Sequence, residues 1–152
     1  MKIVFIDTNV ILDHVLQREH GTEVKAVVAW LTQNEIPMLM SVGGFYTMHY
    51  IIDKYLRQEL MLDKINRIAP LRTLLTCILQ TFIVAEHDNA SLLSGISNLR
   101  FSVLEDACQY ELALRSDCDL LLTLDVKHYP QANDSLPVIT PKQFIENYIN
   151  KK

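Results

Sequence analysis

The order of apolar segments predicts a three-layer α/β sandwich, with a central, mainly parallel five-stranded sheet flanked by helices. Three observations carry this expectation. Five short apolar runs alternate with longer segments of helical spacing. The first run, Ile3-Val4-Phe5-Ile6, is unbroken and β-branched-rich, as in a strand buried on both faces. The chain has 152 residues, 49% of them hydrophobic, with a mean hydropathy of +0.12, enough to bury a core at this length.

The elements follow in order. After Ile3–Ile6, a helix is expected from near Val10, and Val24, Val27, Val28 and Leu31 form a second helical stripe before the break at Asn34–Pro37. Met38-Leu39-Met40-Ser41 reads as the second strand. Phe45 to Leu56 and Leu60 to Leu79 read as helices, with Pro70 marking a kink or boundary in the latter. Phe82–Ala85 is the third strand, Ala90 to Ile96 a short helix, Leu104 to Leu114 a longer one, Leu120–Thr123 the fourth strand and Val138-Ile139 the fifth. Thr140-Pro141-Lys142-Gln143 starts a helix running to about Tyr148: N-cap Thr, Pro at the first helical position, Gln three residues after the cap. Asn133-Asp134-Ser135 reads as a loop and not a linker, so one domain over residues 1–150 is expected.

Composition narrows the function classes. Fourteen Lys and Arg against eighteen Asp and Glu leave a net charge of −4, unlike a protein that coats nucleic acid with a basic surface. Carboxylates holding divalent cations reverse that sign locally. Cys77, Cys108 and Cys118 give neither a disulfide framework nor metal-ligand spacing, and read as buried thiols in a reducing cytosol. The start of the chain does not resemble a signal peptide, and no run approaches the roughly 20 apolar residues of a membrane helix. A cytoplasmic protein without a membrane partner is expected.

Ligands of open parallel sheets sit beyond the carboxyl ends of the strands. There the first strand runs into Asp7-Thr8-Asn9 and the fourth into Thr123-Leu124-Asp125, while Asp106 opens the helix leading to the fourth strand. Each acid also has a plain structural role: Asp7 as an N-cap, Asp106 as a partner of its helix dipole, Asp125 as a turn residue. Together, converging carboxylates call for a positive neutraliser, and a hard cation such as Mg²⁺ or Mn²⁺ takes oxygen ligands. Gly43-Gly44 is too short to be a phosphate loop, and the five His share no ligand spacing. Arg18, Lys25, Lys54, Arg57, Arg100, Arg115 and Lys127 read as solvated faces, with a few left over to line a phosphate path.

Three segments resemble the PIN domain family, as in the toxin ribonucleases of VapC type, over almost the whole chain. They are Ile3 to Asp13 with its Asp-Thr-Asn, Leu104-Glu105-Asp106-Ala107-Cys108-Gln109-Tyr110, and Leu121 to Tyr129 with Thr123 and Asp125. The resemblance implies a metal-dependent phosphodiesterase in which Asp7, Asp106 and Asp125 are catalytic and hold Mg²⁺ or Mn²⁺. Asn9 and Thr123 then support the acids, with Glu105 as an outer contributor. The chain departs from the family where a Glu usually stands on the helix after the second strand, here Thr47, and at His128, usually an Asp. The implied function is an endoribonuclease acting on RNA, the toxin of a toxin–antitoxin pair, with an antitoxin protein as partner and a homodimer allowed. The rival reading is a degenerate, non-catalytic PIN domain that binds RNA or protein, favoured by Thr47. A 5′-nuclease-like enzyme on DNA ranks third, because no DNA-guiding insert is visible.

Overall fold

The computed structural model describes residues 1–130 and 135–151. The five strands are β1 (Val4–Ile6), β2 (Met38–Ser41), β3 (Ile83–Ala85), β4 (Leu120–Leu122) and β5 (Val138–Ile139), and they form one sheet in the order β3-β2-β1-β4-β5. Every pairing is parallel. The helices are α1 (Thr8–Val15), α2 (Gly21–Gln33), α3 (Val42–Gln58), α4 (Ile68–Thr81), α5 (Asn89–Ser97), α6 (Leu104–Arg115) and α7 (Pro141–Phe144), the last continuing as a π-helical turn over Ile145–Ile149. β1 is central: the chain builds outward to β2 and β3 on one side, then crosses to β4 and β5 on the other. That reversal opens a crevice at the carboxyl ends of β1 and β4, where open sheets bind ligands.

Strand alternation divides the core in two. Val4, Ile6, Met38, Met40, Leu120 and Leu122 face a layer built from α1, α2, α3, α4 and α7. Phe5, Leu39 and Leu121 face the opposite layer, where Ala107 and Tyr110 of α6 pack with Phe101 and Tyr129. All residues of β1 and β4 are buried, whereas Ile83 on the edge strand β3 is exposed.

Helix starts follow local chemistry. Ser41 ends β2 and caps α3 by accepting from the Gly44 N–H at 2.9 Å, so α3 begins at Val42 and not Phe45. Thr140 and Gln143 form the expected capping box of α7, with Pro141 inside the first turn.

The expected Leu60–Leu79 helix is shorter than its pattern. Met61 takes a left-handed backbone (φ 53°), and Asp63 accepts from the Asn66 backbone and side chain at 2.8 and 3.0 Å. That turn satisfies polar groups a helix would otherwise use, and α4 starts only at Ile68. Pro70 then lies in its first turn, where a missing N–H costs nothing, so it marks the start of the helix. Of the three thiols, Cys118 is buried, but Cys108 is half-buried and Cys77 exposed, because Cys77 falls on the outward side of α4. In the expected loop, Asn133 and Asp134 lie outside the described residues, and Ser135 is a bend. Among the described residues no helix is long and apolar enough to cross a membrane.

Candidate active site

The register of the central ladder builds the inner wall of the crevice. Ile6 pairs with Leu122, and the Asp7 N–H extends the ladder to the Leu122 carbonyl at 2.9 Å. Asp7 and Thr123 are thereby neighbours across two adjacent strand ends. The Thr123 hydroxyl donates to Asp7 Oδ2 at 2.7 Å. Tyr129 adds its O–H to the same oxygen at 3.2 Å, and Gln109 donates from Nε2 to Oδ1 at 3.0 Å. Asp7 occupies the N-cap position of α1, yet its side chain makes no capping bond. Its carboxylate turns into the crevice instead, where it is 3% exposed. Burial pushes its pKa above the ordinary carboxylate range, against the pull of the bonds from Thr123, Gln109 and Tyr129.

Asp106 stands in the first turn of α6 beside Glu105. Burial, then the charge of Asp7, carries its carboxyl from 3.8 up to about 6, with His128 opposing the rise. The ring Nδ1 of His128 lies 3.3 Å from Asp106 Oδ2. Asp125 is reached differently: Asn9 donates from Nδ2 to Asp125 Oδ2 at 3.1 Å and to Thr123 Oγ1 at 3.5 Å, and accepts from the Leu124 N–H at 3.3 Å. The Asp125 N–H also donates to Thr123 Oγ1 at 3.1 Å. Asn9 therefore clips the segment after β4 onto the start of α1, and Thr123 links both acids.

The outer rim is looser. Thr47 on α3 donates to Glu105 Oε1 at 3.4 Å. Both residues line a cavity of about 220 Å³ together with Ser41, Gly44, Cys108 and Gln109. Gly44 lets α3 meet α1, since a Cβ there would lie 2.6 Å from Thr8 Oγ1.

The structure thus brings Asp7 and Asp106 into electrostatic contact, ties Asp125 to Asp7 through Thr123, and leaves Glu105 with Thr47 at the rim. Among the described residues no three His, Cys, Asp or Glu side chains stand close enough to enclose a metal ion by themselves. The donor set is still that of a hard cation: carboxylate oxygens, two of them on acids whose pKa is raised, by burial at Asp7 and by burial and then the charge of Asp7 at Asp106. It fits an ion that keeps several waters and takes one or two carboxylates plus substrate phosphate. Sequence reasoning passed over Gln109, Tyr129 and His128 as site residues. Gln109 was within reach, because it follows Asp106 by three positions and shares its helix face. Tyr129 and His128 are placed by the 3₁₀ turn Val126–His128, which spacing alone does not reveal.

An α/β domain with an acidic crevice at the switch point of its parallel sheet is what this fold and site define. The family model described as PIN domain matches residues 3–127, and the chain belongs to that family. It is 30% identical over 149 residues to Ribonuclease VapC1 of Aquifex aeolicus (strain VF5), covering 95% of this chain and 94% of that protein. Its fold is similar to VapBC2 from Rickettsia felis, solved bound to a promoter DNA fragment (TM-score 0.67, 13% identity, 91% of this chain and 98% of that one). It is also similar to a toxin–antitoxin complex from Klebsiella pneumoniae (TM-score 0.62, 18% identity, 91% and 97% covered). A third likeness is to FitAB bound to an IR36 DNA fragment (TM-score 0.62, 18% identity, 91% and 94% covered).

Proposed function

We propose that this chain is a divalent-metal-dependent endoribonuclease and the toxin of a toxin–antitoxin pair, carried by one domain over residues 1–150. The observation that carries the reading is Asp7, a carboxylate buried at the central strand end and held by Thr123, Gln109 and Tyr129, beside an Asp106 raised by burial and then by the Asp7 charge. Burying two acids together is costly unless a cation joins them. Ribonuclease VapC1 supports RNA as the substrate, and the toxin–antitoxin complexes of like fold support an antitoxin partner.

In this mechanism Asp7 and Asp106 would hold Mg²⁺ or Mn²⁺, with Asp125 contributing from the adjoining strand end. The ion supplies charge on the scissile phosphate and a bound water of lowered pKa. Thr123, Gln109 and Tyr129 fix the Asp7 carboxylate so that its oxygens cannot rotate away. Asn9 sets the Asp125 carboxylate in the same way. Glu105 stands at the rim, where it orients water beyond the two inner acids. Roughly two divalent ions would offset the net charge of −4.

The test is cleavage of single-stranded RNA by purified protein in EDTA, Mg²⁺ and Mn²⁺, with Asp7→Asn run in parallel. Metal-dependent cleavage lost in Asp7→Asn upholds the reading. Equal cleavage by both proteins identifies a contaminant. No cleavage at any metal concentration favours the second reading, a non-catalytic binding domain, which Thr47 in place of an acid and the lack of a three-acid cage among the described residues support.

A further inference from the structure

We propose that the exposed face of α3 is a track for single-stranded RNA, with Tyr46 and Tyr50 stacking bases and Arg18, Lys54 and Arg57 contacting phosphates. This rests on the ribonuclease reading and states how the substrate is held beyond the acids.

α3 has two faces. Gly44, Met48, Ile52 and Leu56 are its buried row. Gly43, Tyr46, Tyr50, Lys54 and Arg57 recur at three- and four-residue spacing on the other side, all exposed. Tyr46 is 68% and Tyr50 63% exposed, one helical turn apart, or about 6 Å along the axis. Phe45 meets the Tyr46 ring edge-on, with centroids 5.7 Å apart, and leaves it 68% exposed. Aromatic rings presented in series beside cations are how proteins hold single strands without reading their sequence.

The cations lie at the far end of the row. Arg18 and Lys54 line a hollow of about 230 Å³ with Tyr50 and Tyr55, and Glu59 is the acid in that lining. Asp53 does not cancel them, because Arg67 already pairs it at 2.6 Å. Among the described residues, Arg18, Lys54 and Arg57 are in no ion pair.

At its near end the same helix forms the rim of the acidic crevice. Gly43 and Thr47, which flank Tyr46, line the cavity shared with Glu105 and Gln109, and Gln109 holds Asp7. α3 therefore runs from acids through aromatics to cations. Phosphates are drawn to the distal end, bases rest on the two rings, and the strand is led into the crevice. A chain of net charge −4 needs such a local surface, because its overall field repels RNA.

The experiment uses the full chain carrying Asp7→Asn, in EDTA, with a fluorescein-labelled ten-nucleotide oligouridylate followed by anisotropy. Tyr46→Ala with Tyr50→Ala is expected to weaken binding at least tenfold. Tyr46→Phe with Tyr50→Phe retains binding, since stacking needs the ring and not the hydroxyl. Lys54→Gln with Arg57→Gln should flatten the slope of log affinity against log salt by about 1.4, two contacts at about 0.7 each. Unchanged melting temperatures exclude misfolding as the cause. The proposal is overturned if the double Ala variant binds like its parent. It is equally overturned if that variant only converts a sedimenting dimer to a monomer with RNA affinity intact, which makes the face a contact between copies. The same substitutions in the Asp7 protein with Mn²⁺ separate the two readings. Tyr-dependent binding without any cleavage upholds the track and removes the nuclease. Normal cleavage and binding by the Tyr variants removes the track alone.

Discussion

On the β1–β4 side of the crevice, Asp7 is 3% exposed and accepts from Thr123, Gln109 and Tyr129; on the α3–α6 side, Thr47 and Glu105 meet through one 3.4 Å bond at the surface. The inner wall is written into the sheet. Once Ile6 pairs with Leu122, Asp7 and Thr123 must adjoin, and the low-dielectric surroundings strengthen every bond made there. The outer rim depends on two side chains reaching across solvent from separate helices. Loss of an acid inside should therefore cost chemistry and loss of a bond that holds it should cost stability, while a substitution at the rim should tune affinity with little cost.

The largest expected contrast is in cleavage. Asp7→Asn should lower RNA cleavage about a thousandfold, the loss of several kcal/mol of metal-assisted stabilisation at 1.36 kcal/mol per decade. Glu105→Gln should lower it less than about tenfold. Single-turnover rates in saturating Mn²⁺ measure both. Comparable losses would erase the distinction between wall and rim.

Next comes stability. Thr123 is fully buried, and Thr123→Val removes the shorter of the two bonds to Asp7 Oδ2, leaving Tyr129 alone on that oxygen, and takes the acceptor from the Asp125 N–H. Urea unfolding should register about 1–3 kcal/mol of destabilisation. Thr47→Val, removing one surface bond, should fall within about 0.5 kcal/mol of the parent.

A pH series sharpens the comparison within the pair of inner acids. Asp106 is carried from 3.8 up to about 6 by burial and then by Asp7, so the folded protein holds this proton more tightly than the unfolded chain. The stability it contributes is full below about 3.8 and is lost as pH rises through about 6. In EDTA, Asp106→Asn should thus melt higher than wild type at pH 8, by about 2–4 °C after discounting for solvent screening. The gain should shrink toward zero as pH falls below about 3.8, where Asp106 becomes protonated in both states. Adding Mn²⁺ should stabilise the wild type more at pH 8 than at pH 5, since the ion competes with the proton.

The smallest effect is expected at Thr47→Glu. The new carboxylate would face Glu105, which now accepts the Thr47 hydroxyl bond, so the metal-free protein should lose a few tenths of a kcal/mol to like-charge repulsion. Mn²⁺ should restore that loss and bind more tightly, read by calorimetry and by melting with and without metal. A loss that metal does not rescue would mean position 47 faces no ion.

The acids were visible in the sequence because each follows a run whose type is unmistakable. Asp7 ends the unbroken Ile3–Ile6, Asp125 follows Leu120–Thr123, and Asp106 opens a periodic helix. The partners of Asp7 were harder to see, since Gln109 and Tyr129 lie 102 and 122 positions away from it and carry no local signal of their own. His128 shares no ligand spacing with the other histidines, and only the 3₁₀ turn after Asp125 sets it 3.3 Å from Asp106. The Leu60–Leu79 pattern misled for a related reason: helical spacing of apolar residues continues through a stretch where Asp63 and Asn66 bond each other and hold the backbone in turns.

The sequence by itself determined the alternation of strands and helices, the cap at Thr140, and the acids at the strand ends, because these rest on hydrophobic periodicity and on bonds between near neighbours. Only the tertiary structure decided which acids share a field and which donors hold them. The crossing from β3 back past β1 to β4 brings residues over a hundred positions apart to within 2.7–3.2 Å. Contacts of that range follow from strand order and register, which no local pattern encodes.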